Sequence, residues 1–275
     1  MKPPKTLLAI TLAIIGTSAS FGQGTVTRPT KPKAVQNNTK PQKKVQPQRS
    51  STSSEIFELG KIAYNHGNYS DALKLYRKAA EQGHANAQNN LGYMYHKGQG
   101  VLQDYSEAVR WYRKAAEQGN AMAQCNLGCM YFSGHGVAQD NSKAIIWIRK
   151  AAEQGNAIAQ YLIGSMYFNG QGVCQDYSES VRWYRMAAKQ GDSAAQCSLG
   201  LMYYNGQGVT QDYSEALRWY RTAVEQGNAD AMFHIGWMYY LGTGVSKDLT
   251  EAKRWWEKSA SQGNKFASDN LRNLF

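Results

Sequence analysis

The sequence has 275 residues but only six prolines and four cysteines. All six prolines lie before residue 48, so the rest of the chain lacks the residue that most strongly interrupts helices. The cysteines are Cys125, Cys129, Cys174 and Cys197, and their spacing is not that of a zinc site. Cys125 and Cys129 would share one helix face, where disulfide geometry is poor. We therefore predict small, semi-apolar packing residues, and the sequence leaves open whether any of them pair.

The sequence also lacks the short motifs that carry common enzyme chemistry. It contains no H-E-x-x-H, no G-x-S-x-G, no Walker loop and no Ser-x-x-Lys. Its glycine-rich GQGV loops are predicted to end helices rather than to follow strands, so they do not predict a phosphate cradle. The five histidines are scattered over the chain. We predict no enzymatic activity, no cofactor and no metal site.

The net charge of +11 is concentrated near the N-terminus. Residues 1–22 resemble a secretory signal peptide, because Lys2 and Lys5 precede an apolar run and small residues. The run is shorter than the roughly 20 residues of a membrane span; an uncleaved anchor is the alternative. We predict an exported protein, periplasmic or secreted, that is not an integral membrane protein after cleavage.

Residues 23–54 carry seven lysines and arginines and no acidic residue, among prolines, glutamines and serines. This composition predicts a disordered basic linker. Such a segment either contacts anionic envelope components weakly or is a solvated spacer. Since the remaining chain is nearly neutral, we predict no nucleic-acid partner.

From residue 55 onward the chain repeats itself every 36 residues. The block AAEQG or its variants begins at Ala79, Ala115, Ala151, Ala187, Ala223 and Ser259. A fixed period between 20 and 50 residues indicates an array of stacked units. The predicted solenoid, 55–275, divides into 55–83, 84–119, 120–155, 156–191, 192–227, 228–263 and a terminal cap helix, 264–275.

Each unit predicts two helices, which we call helix A and helix B. Helix A of the second unit runs from about Ala85 to Lys97 and ends at glycines that can adopt positive φ. Helix B begins at Asp104, with Glu107 three residues later as a capping box. The pair recurs as Asp176/Glu179, Asp212/Glu215, Asp248/Glu251 and Asn68/Asp71, whereas Asp140 has Lys143 and predicts a weaker cap. A tryptophan recurs in helix B at a fixed position and predicts core packing: Trp111, Trp147, Trp183, Trp219 and Trp255.

The pattern A-x-A-Q-x-x-L-G-x-M-Y, then G-x-G-V, then D-Y-S-E-A-x-R-W-Y-R-K-A-A-E-Q-G, resembles the Sel-one-like repeat family, a relative of the tetratricopeptide repeat. The resemblance covers 84–263 as five full units; unit 55–83 lacks four residues and is similar to an ordinary tetratricopeptide repeat. It implies an all-α, α/α right-handed superhelical solenoid whose A helices line a concave groove. It also implies a protein–protein interaction scaffold or adaptor that binds a peptide or protein partner.

Some disulfide-rich members of that family are linked to β-lactam binding or hydrolysis. The regular cysteine pair of those members is absent from this sequence. A cell-envelope enzyme or β-lactam-binding protein is therefore the alternative function.

Positions that differ between units are candidates for recognition, because the shared positions are needed by the scaffold. In helix A, positions equivalent to 86, 89, 93, 96 and 97 lie on one face, which the resemblance places on the concave side. The predicted partner-binding residues are Tyr93, Cys129, Ser165, Leu201 and Trp237 at one register, together with Tyr161, Phe233 and Tyr240. The alternative is that these side chains pack against one another in a tightly closed superhelix.

Overall fold

The computed structural model describes residues 52–274, and these residues form thirteen α-helices and no strand. The A helices are α1 (Ser53–Asn65), α3 (Ala85–Lys97), α5 (Ala121–Ser133), α7 (Ala157–Asn169), α9 (Ser193–Asn205), α11 (Ala229–Leu241) and α13 (Lys265–Leu274). The B helices are α2 (Tyr69–Glu81), α4 (Tyr105–Glu117), α6 (Asn141–Glu153), α8 (Tyr177–Lys189), α10 (Tyr213–Glu225) and α12 (Leu249–Ser261). Each helix packs against its neighbours in sequence. The predicted all-α solenoid of helix-pair repeats is confirmed.

The N-terminal predictions fall largely outside this part of the chain. The predicted signal peptide and residues 23–51 of the predicted linker lie outside the described residues. Residues 52–54, which composition assigns to the linker, form the N-cap and the first residues of α1. The solenoid therefore includes a few residues that carry no apolar signal of their own.

Close contact between helices A and B depends on a glycine in helix A. A Cβ atom on Gly92 would lie 2.8 Å from Cδ1 of Tyr112, a side chain that is almost completely buried in helix B. The same glycine–tyrosine contact joins Gly164 to Tyr184 and Gly200 to Tyr220. Burial of one large side chain stabilises a fold by about 1.5–3 kcal/mol. The repeated glycine thus allows these units each to bury one aromatic ring, whereas Gly128 packs against the aliphatic Ile148.

The predicted capping boxes of the B helices form only in part. The Asp104 carboxylate accepts hydrogen bonds from the backbone N–H groups of Ser106 and Glu107, at 2.9 and 3.0 Å. The return bond from Glu107 is missing because the Asp104 N–H already donates to the carbonyl of Tyr95, at 3.0 Å. The Glu107 carboxylate binds Arg110 instead.

The same pattern explains the other predicted boxes. The N–H groups of Asp176, Asp212 and Asp248 each donate to a tyrosine carbonyl of the preceding helix A. Asn68 makes no side-chain cap bond. Asp140 keeps its cap bond to the Lys143 N–H and adds an ion pair with Lys143 Nζ, at 3.0 Å. Those backbone and side-chain bonds hold the pKa of Asp140 below its usual value.

The glycine-rich loop ends each full helix A as predicted. Gly98 and Gly100 have φ angles of 68° and 71°. A Cβ atom on Gly100 would lie 2.6 Å from the carbonyl oxygen of Tyr69, which belongs to the preceding unit. Glycine is therefore required here both by the left-handed backbone and by the close approach of the loop to the previous helix B.

The first unit has a shorter connection than the others. Three residues, 66–68, separate α1 from α2, whereas seven, 98–104, separate α3 from α4. The difference of four residues is the one that the sequence predicts for the missing G-x-G-V segment.

The recurring tryptophans are only partly a core feature. Trp111 and Trp183 are buried, as predicted. The other three are partly exposed, each with a cation over its ring: Lys150 over Trp147 at 4.5 Å, Arg218 over Trp219 at 4.5 Å and Lys258 over Trp255 at 4.6 Å. A cation over an indole is favourable where the ring meets solvent.

Candidate functional site: the A-helix face

Glutamine side chains fix the register between consecutive units. In the second unit, Gln88 Nε2 donates to the carbonyl of Ala80 in the preceding helix B, at 3.0 Å. Gln88 Oε1 accepts from Gln118 Nε2, at 2.6 Å. We call this arrangement the glutamine ladder; it recurs at Gln124/Gln154, Gln160/Gln190 and Gln196/Gln226. Because buried amides bond at defined geometry, the ladder holds successive A helices in a constant relation.

An arginine–tyrosine contact adds a second link between units. Arg77 donates to the Tyr95 hydroxyl at 2.6 Å, and the equivalent bonds are Arg113 to Tyr131, Arg149 to Tyr167 and Arg185 to Tyr203. Each runs from one helix B to the next helix A. The A helices therefore present their remaining side chains as a regular surface.

We define the A-helix face as the side chains at the registers of 86, 93 and 97 in the five full units. At the register of 86 it contains Asn86, Met122, Ile158, Ala194 and Asp230; at the register of 97, Lys97, Ser133, Asn169, Asn205 and Leu241. Among the apolar members, Met122, Ile158 and Leu241 are exposed. Exposed apolar side chains in a row are typical anchors for a protein partner.

The structure divides the predicted register of 93 into accessible and buried residues. Tyr93, Ser165 and Leu201 are partly exposed, whereas Cys129 and Trp237 are buried. Among the further predicted residues, Tyr161 and Phe233 are buried and Tyr240 is partly exposed. Partner binding at these eight positions stays a prediction, and only the accessible ones can meet a partner without rearrangement.

The C-terminal aromatic residues form a cluster within the protein. The Trp237 ring lies 6.3 Å from Phe233, 5.5 Å from Tyr240 and 5.3 Å from Trp256, with edge-to-face geometry in all three pairs. Since Trp256 belongs to helix B, these rings fill the space between α11 and α12. Tyr240 is the member of this cluster that remains accessible.

Sequence reasoning gave too little weight to the register of 86. Met122 and Ile158 belong to the variable face, but the prediction favoured the register of 93. The signal that distinguishes the two is the small buried residue one position later: Ala87, Ala123 and Ala159 are fully buried. The residue before that constant alanine lies outside the contact with the neighbouring helices, whereas the glutamine after it is buried.

Titratable groups near the face are shifted mainly by burial. Burial raises the pKa values of the Asp192 and Asp230 carboxyls, and an amide hydrogen bond from Asn264 at 2.8 Å partly offsets this at Asp230. Burial, with the neighbouring Lys97 charge, lowers the pKa of His96 to about 4. A hydrogen bond with Cys129 and burial raise the pKa of the Cys125 thiol. These groups are shifted by burial and by local contacts, and they are not arranged around a common reaction centre.

The four cysteines are free in the structure, which answers a question that the sequence leaves open; the predicted packing role fits the three buried ones but not Cys174. Cys125, Cys129 and Cys197 are buried, and Cys174 is exposed. Within residues 52–274 there is no group of three or more His, Cys, Asp or Glu side chains placed to hold a metal ion. No helix in the same region is both long and apolar enough to span a bilayer.

Together these features define the class of the protein: an α-solenoid of helix-pair repeats with a variable surface on its A helices. The Sel1 repeat profile matches six consecutive segments, 56–84, 85–120, 121–156, 157–192, 193–228 and 229–264. The chain belongs to the Sel1 repeat family, which is the Sel-one-like family that its sequence pattern resembles. Scaffolds of this family generally mediate protein–protein interaction and are generally non-enzymatic.

Solved structures show the same fold. The chain is 40% identical to a Sel1 repeat protein from Oxalobacter formigenes, with a TM-score of 0.73 over 78% of this chain and 88% of that one. It is 41% identical to a protective antigen present in uropathogenic Escherichia coli strains, with a TM-score of 0.72 over 81% of this chain. The chain covers about half, 48%, of that antigen.

A curated relative is similar over a short segment only. An uncharacterized protein of Neisseria meningitidis serogroup B is 64% identical over 33 residues, which is 12% of this chain and 7% of that protein. This segment is about one repeat long, so the similarity reflects the shared unit.

Proposed function

We propose that this protein is an exported scaffold that binds a peptide or protein partner along its A-helix face. The observation that carries the proposal is the set of exposed apolar side chains on the A helices: Met122 and Ile158 at adjacent places of the register of 86, with Ile158 at 47% exposure, and Leu241 at the register of 97. The glutamine ladder supports it, because a rigid array can present such side chains without an ordering cost on binding.

The proposed contact surface is mostly uncharged. Among the fifteen side chains that define the A-helix face, only Lys97 and Asp230 carry a formal charge. The others are aliphatic, aromatic, thioether, thiol, hydroxyl or amide side chains. A partner segment with apolar anchors and backbone groups free to bond asparagine side chains fits this composition best.

A matched pair of isoleucines tests the proposal. Ile158 lies on the A-helix face, and Ile146 lies on α6, which is helix B of the unit 120–155, with a similar exposure of 54%. In-cell crosslinking and affinity capture, read by mass spectrometry, would compare wild type with Ile158→Lys and Ile146→Lys. We expect a partner captured by wild type and by Ile146→Lys, and lost from Ile158→Lys. Equal capture by both variants would place binding elsewhere.

Export is part of the proposal and rests on the sequence of residues 1–22. Fractionation of cells that produce the full chain should place the processed protein in the periplasm or the medium. Deletion of residues 23–51, which leaves α1 intact, tests the linker separately. If the linker contacts anionic envelope components, the deletion shifts the protein from the envelope fraction to the soluble fraction.

The alternative function, β-lactam binding or hydrolysis, is not favoured by any residue of the A-helix face. It rests on disulfide-rich relatives, and the cysteines of this chain are free. Turnover of a chromogenic β-lactam by the purified protein would restore it.

A further inference from the structure

The outer surface of α1 is apolar and uncovered. Leu59 is 51% exposed and Ile62 is 55% exposed. At the equivalent positions of the next five A helices the side chains are at most 3% exposed: Leu91, Leu127, Ile163, Leu199 and Ile235, and Met94, Met130, Met166, Met202 and Met238. The chain thus keeps core-type residues at two positions of α1 that nothing in the described structure buries.

In the five later units this surface is covered by the preceding helix B. The bonds from Gln88 to Ala80 and from Arg77 to Tyr95 show that contact between α2 and α3. α1 is the first helix of the solenoid, so it has no preceding helix B among the described residues. The residues before it, 23–51, contain four prolines and seven basic residues, a composition that does not predict an amphipathic helix.

The C-terminal end of the array is built differently. Its last helix, α13, has Arg272 at the position where the units before it have glycine, and Arg272 pairs with Asp269 at 3.4 Å. A polar outer face is what a terminal unit needs for solubility. Leu274 of α13, at the register of Ile62, is also exposed, at 37%, but α1 exposes both of its core-type side chains to a larger extent, which gives the α1 surface the character of an interface.

The exposed stripe of α1 is complementary to itself in antiparallel orientation. Glu55, Leu59, Ile62 and His66 follow one another at helical spacing on the outer face. If two copies pair about the midpoint between residues 60 and 61, Leu59 meets Ile62 of the other copy and Glu55 meets His66 of the other copy. A parallel pair would instead place Glu55 against itself.

We propose that α1 forms the interface of a twofold-symmetric dimer, in which two copies of this chain pair their α1 helices antiparallel. The charge pattern supports this occupant, because Glu55 at the start of one helix faces His66 at the end of the other, whereas Glu58 and Lys61 pair within their own helix at 2.9 Å. Opposed helix dipoles favour the same orientation. The apolar contact is small, so the dimer is expected to be weak and concentration-dependent.

Charge-swap variants of the full chain test both the occupant and the register. By sedimentation equilibrium, wild type should show a dimer whose population grows with concentration, and Leu59→Glu and Ile62→Lys should each be monomeric. An equimolar mixture of the two variants should recover dimers, because the introduced carboxylate and ammonium face each other in one of the two central pairs. Leu102→Glu, at an almost fully exposed loop position, is the matched control and should leave the dimer unchanged.

Three results would overturn the proposal. They are a wild type that does not associate at any soluble concentration, single variants that leave the dimer intact, and a mixture that stays monomeric. The last result would contradict the antiparallel register even if the first two agree with it. Circular dichroism melts of each variant would check that it folds. Because both residues lie at the surface, we expect folding to be unaffected.

Discussion

Replacement of Gln160 by methionine tests whether the glutamine ladder fastens the units together. Gln160 is almost completely buried; its Nε2 donates to the Ala152 carbonyl at 3.1 Å and its Oε1 accepts from Gln190 at 2.7 Å. Methionine has a similar volume, and the chain itself carries Met232 at this register in α11. The substitution therefore removes two hydrogen bonds with little change in packing.

The expected loss follows from what each partner retains. The Ala152 carbonyl still accepts from the Gly155 N–H at 3.0 Å, and the exposed Gln190 can bond water. Neither group is left unsatisfied, so the cost is the net value of two hydrogen bonds, about 1–2 kcal/mol. For a solenoid of this size, that corresponds to a fall of roughly 2–8 °C in Tm, at about 2–4 °C for each kcal/mol.

Urea denaturation followed by circular dichroism would measure the difference in free energy of unfolding. The control is Gln82→Met, because Gln82 has the place of Gln190 in the first unit, where Ile56 stands at the register of Gln160 and offers no amide to bond. The reverse change, Met232→Gln, should add stability by completing the ladder with Gln262. A loss below about 0.5 kcal/mol for Gln160→Met, the range of ordinary surface substitutions, would refute the structural role of the ladder.

Three further substitutions have defined outcomes. Gly200→Ala would place a Cβ atom 2.7 Å from the Tyr220 ring, so thermal melts should show a loss of about 1–3 kcal/mol from overpacking; an unchanged melt would contradict the close contact. Asp192 caps α9 where four other units use asparagine. Burial raises the pKa of Asp192 in the folded state. Ionised Asp192 therefore destabilises the fold at pH values above its pKa in the unfolded chain, and this cost disappears as the pH is lowered. Asp192→Asn should therefore be more stable than wild type at pH 7, with a smaller difference at pH 4; a pH-independent difference would contradict this cause. Burial lowers the pKa of His234 to about 4, so its contribution is complete above the unfolded value of about 6.5 and is lost as the pH falls towards 4. The variant His234→Leu copies Leu162 at the same register and has no group to protonate. As the pH is lowered from 7.5 to 5, its urea midpoint should therefore rise relative to that of wild type. Parallel pH profiles of the two proteins would refute this reasoning.

The sequence predicts the helices well because their signals are local. The aspartate caps and the paired glycines of the loop are properties of neighbouring residues, and the 36-residue period repeats them along the chain; the structure confirms each. The second half of the capping boxes is wrong because it depends on a long-range competitor. Only the folded loop brings the Tyr95 carbonyl to the Asp104 N–H, and that bond leaves Glu107 free to pair with Arg110.

The candidate site is less predictable because it depends on which of several facing helices covers a residue. Helical spacing places Phe233, Trp237 and Tyr240 together, and the rings do cluster. Spacing does not reveal that Trp256 fills the other side of Trp237, which leaves Tyr240 as the accessible member. In the same way, nothing in the pattern of Leu59 and Ile62 distinguishes them from their buried equivalents, since exposure there results from the absence of a preceding helix.

The two proposals concern different surfaces and can fail independently. Partner binding is assigned to the A-helix face around Ile158, whereas self-association is assigned to the outer face of α1 around Leu59. Ile158→Lys should therefore abolish capture of a partner and leave the dimer intact, and Leu59→Glu should do the reverse. If Leu59→Glu also abolishes capture, the two activities are linked, because a bivalent partner that engages both faces of a dimer loses its second contact when the copies separate. To separate that linkage from damage to the fold, capture would be repeated at the same partner concentration with the dimerising mixture of Leu59→Glu and Ile62→Lys. Recovery of capture in the mixture requires both variants to be folded, so it would indicate linkage.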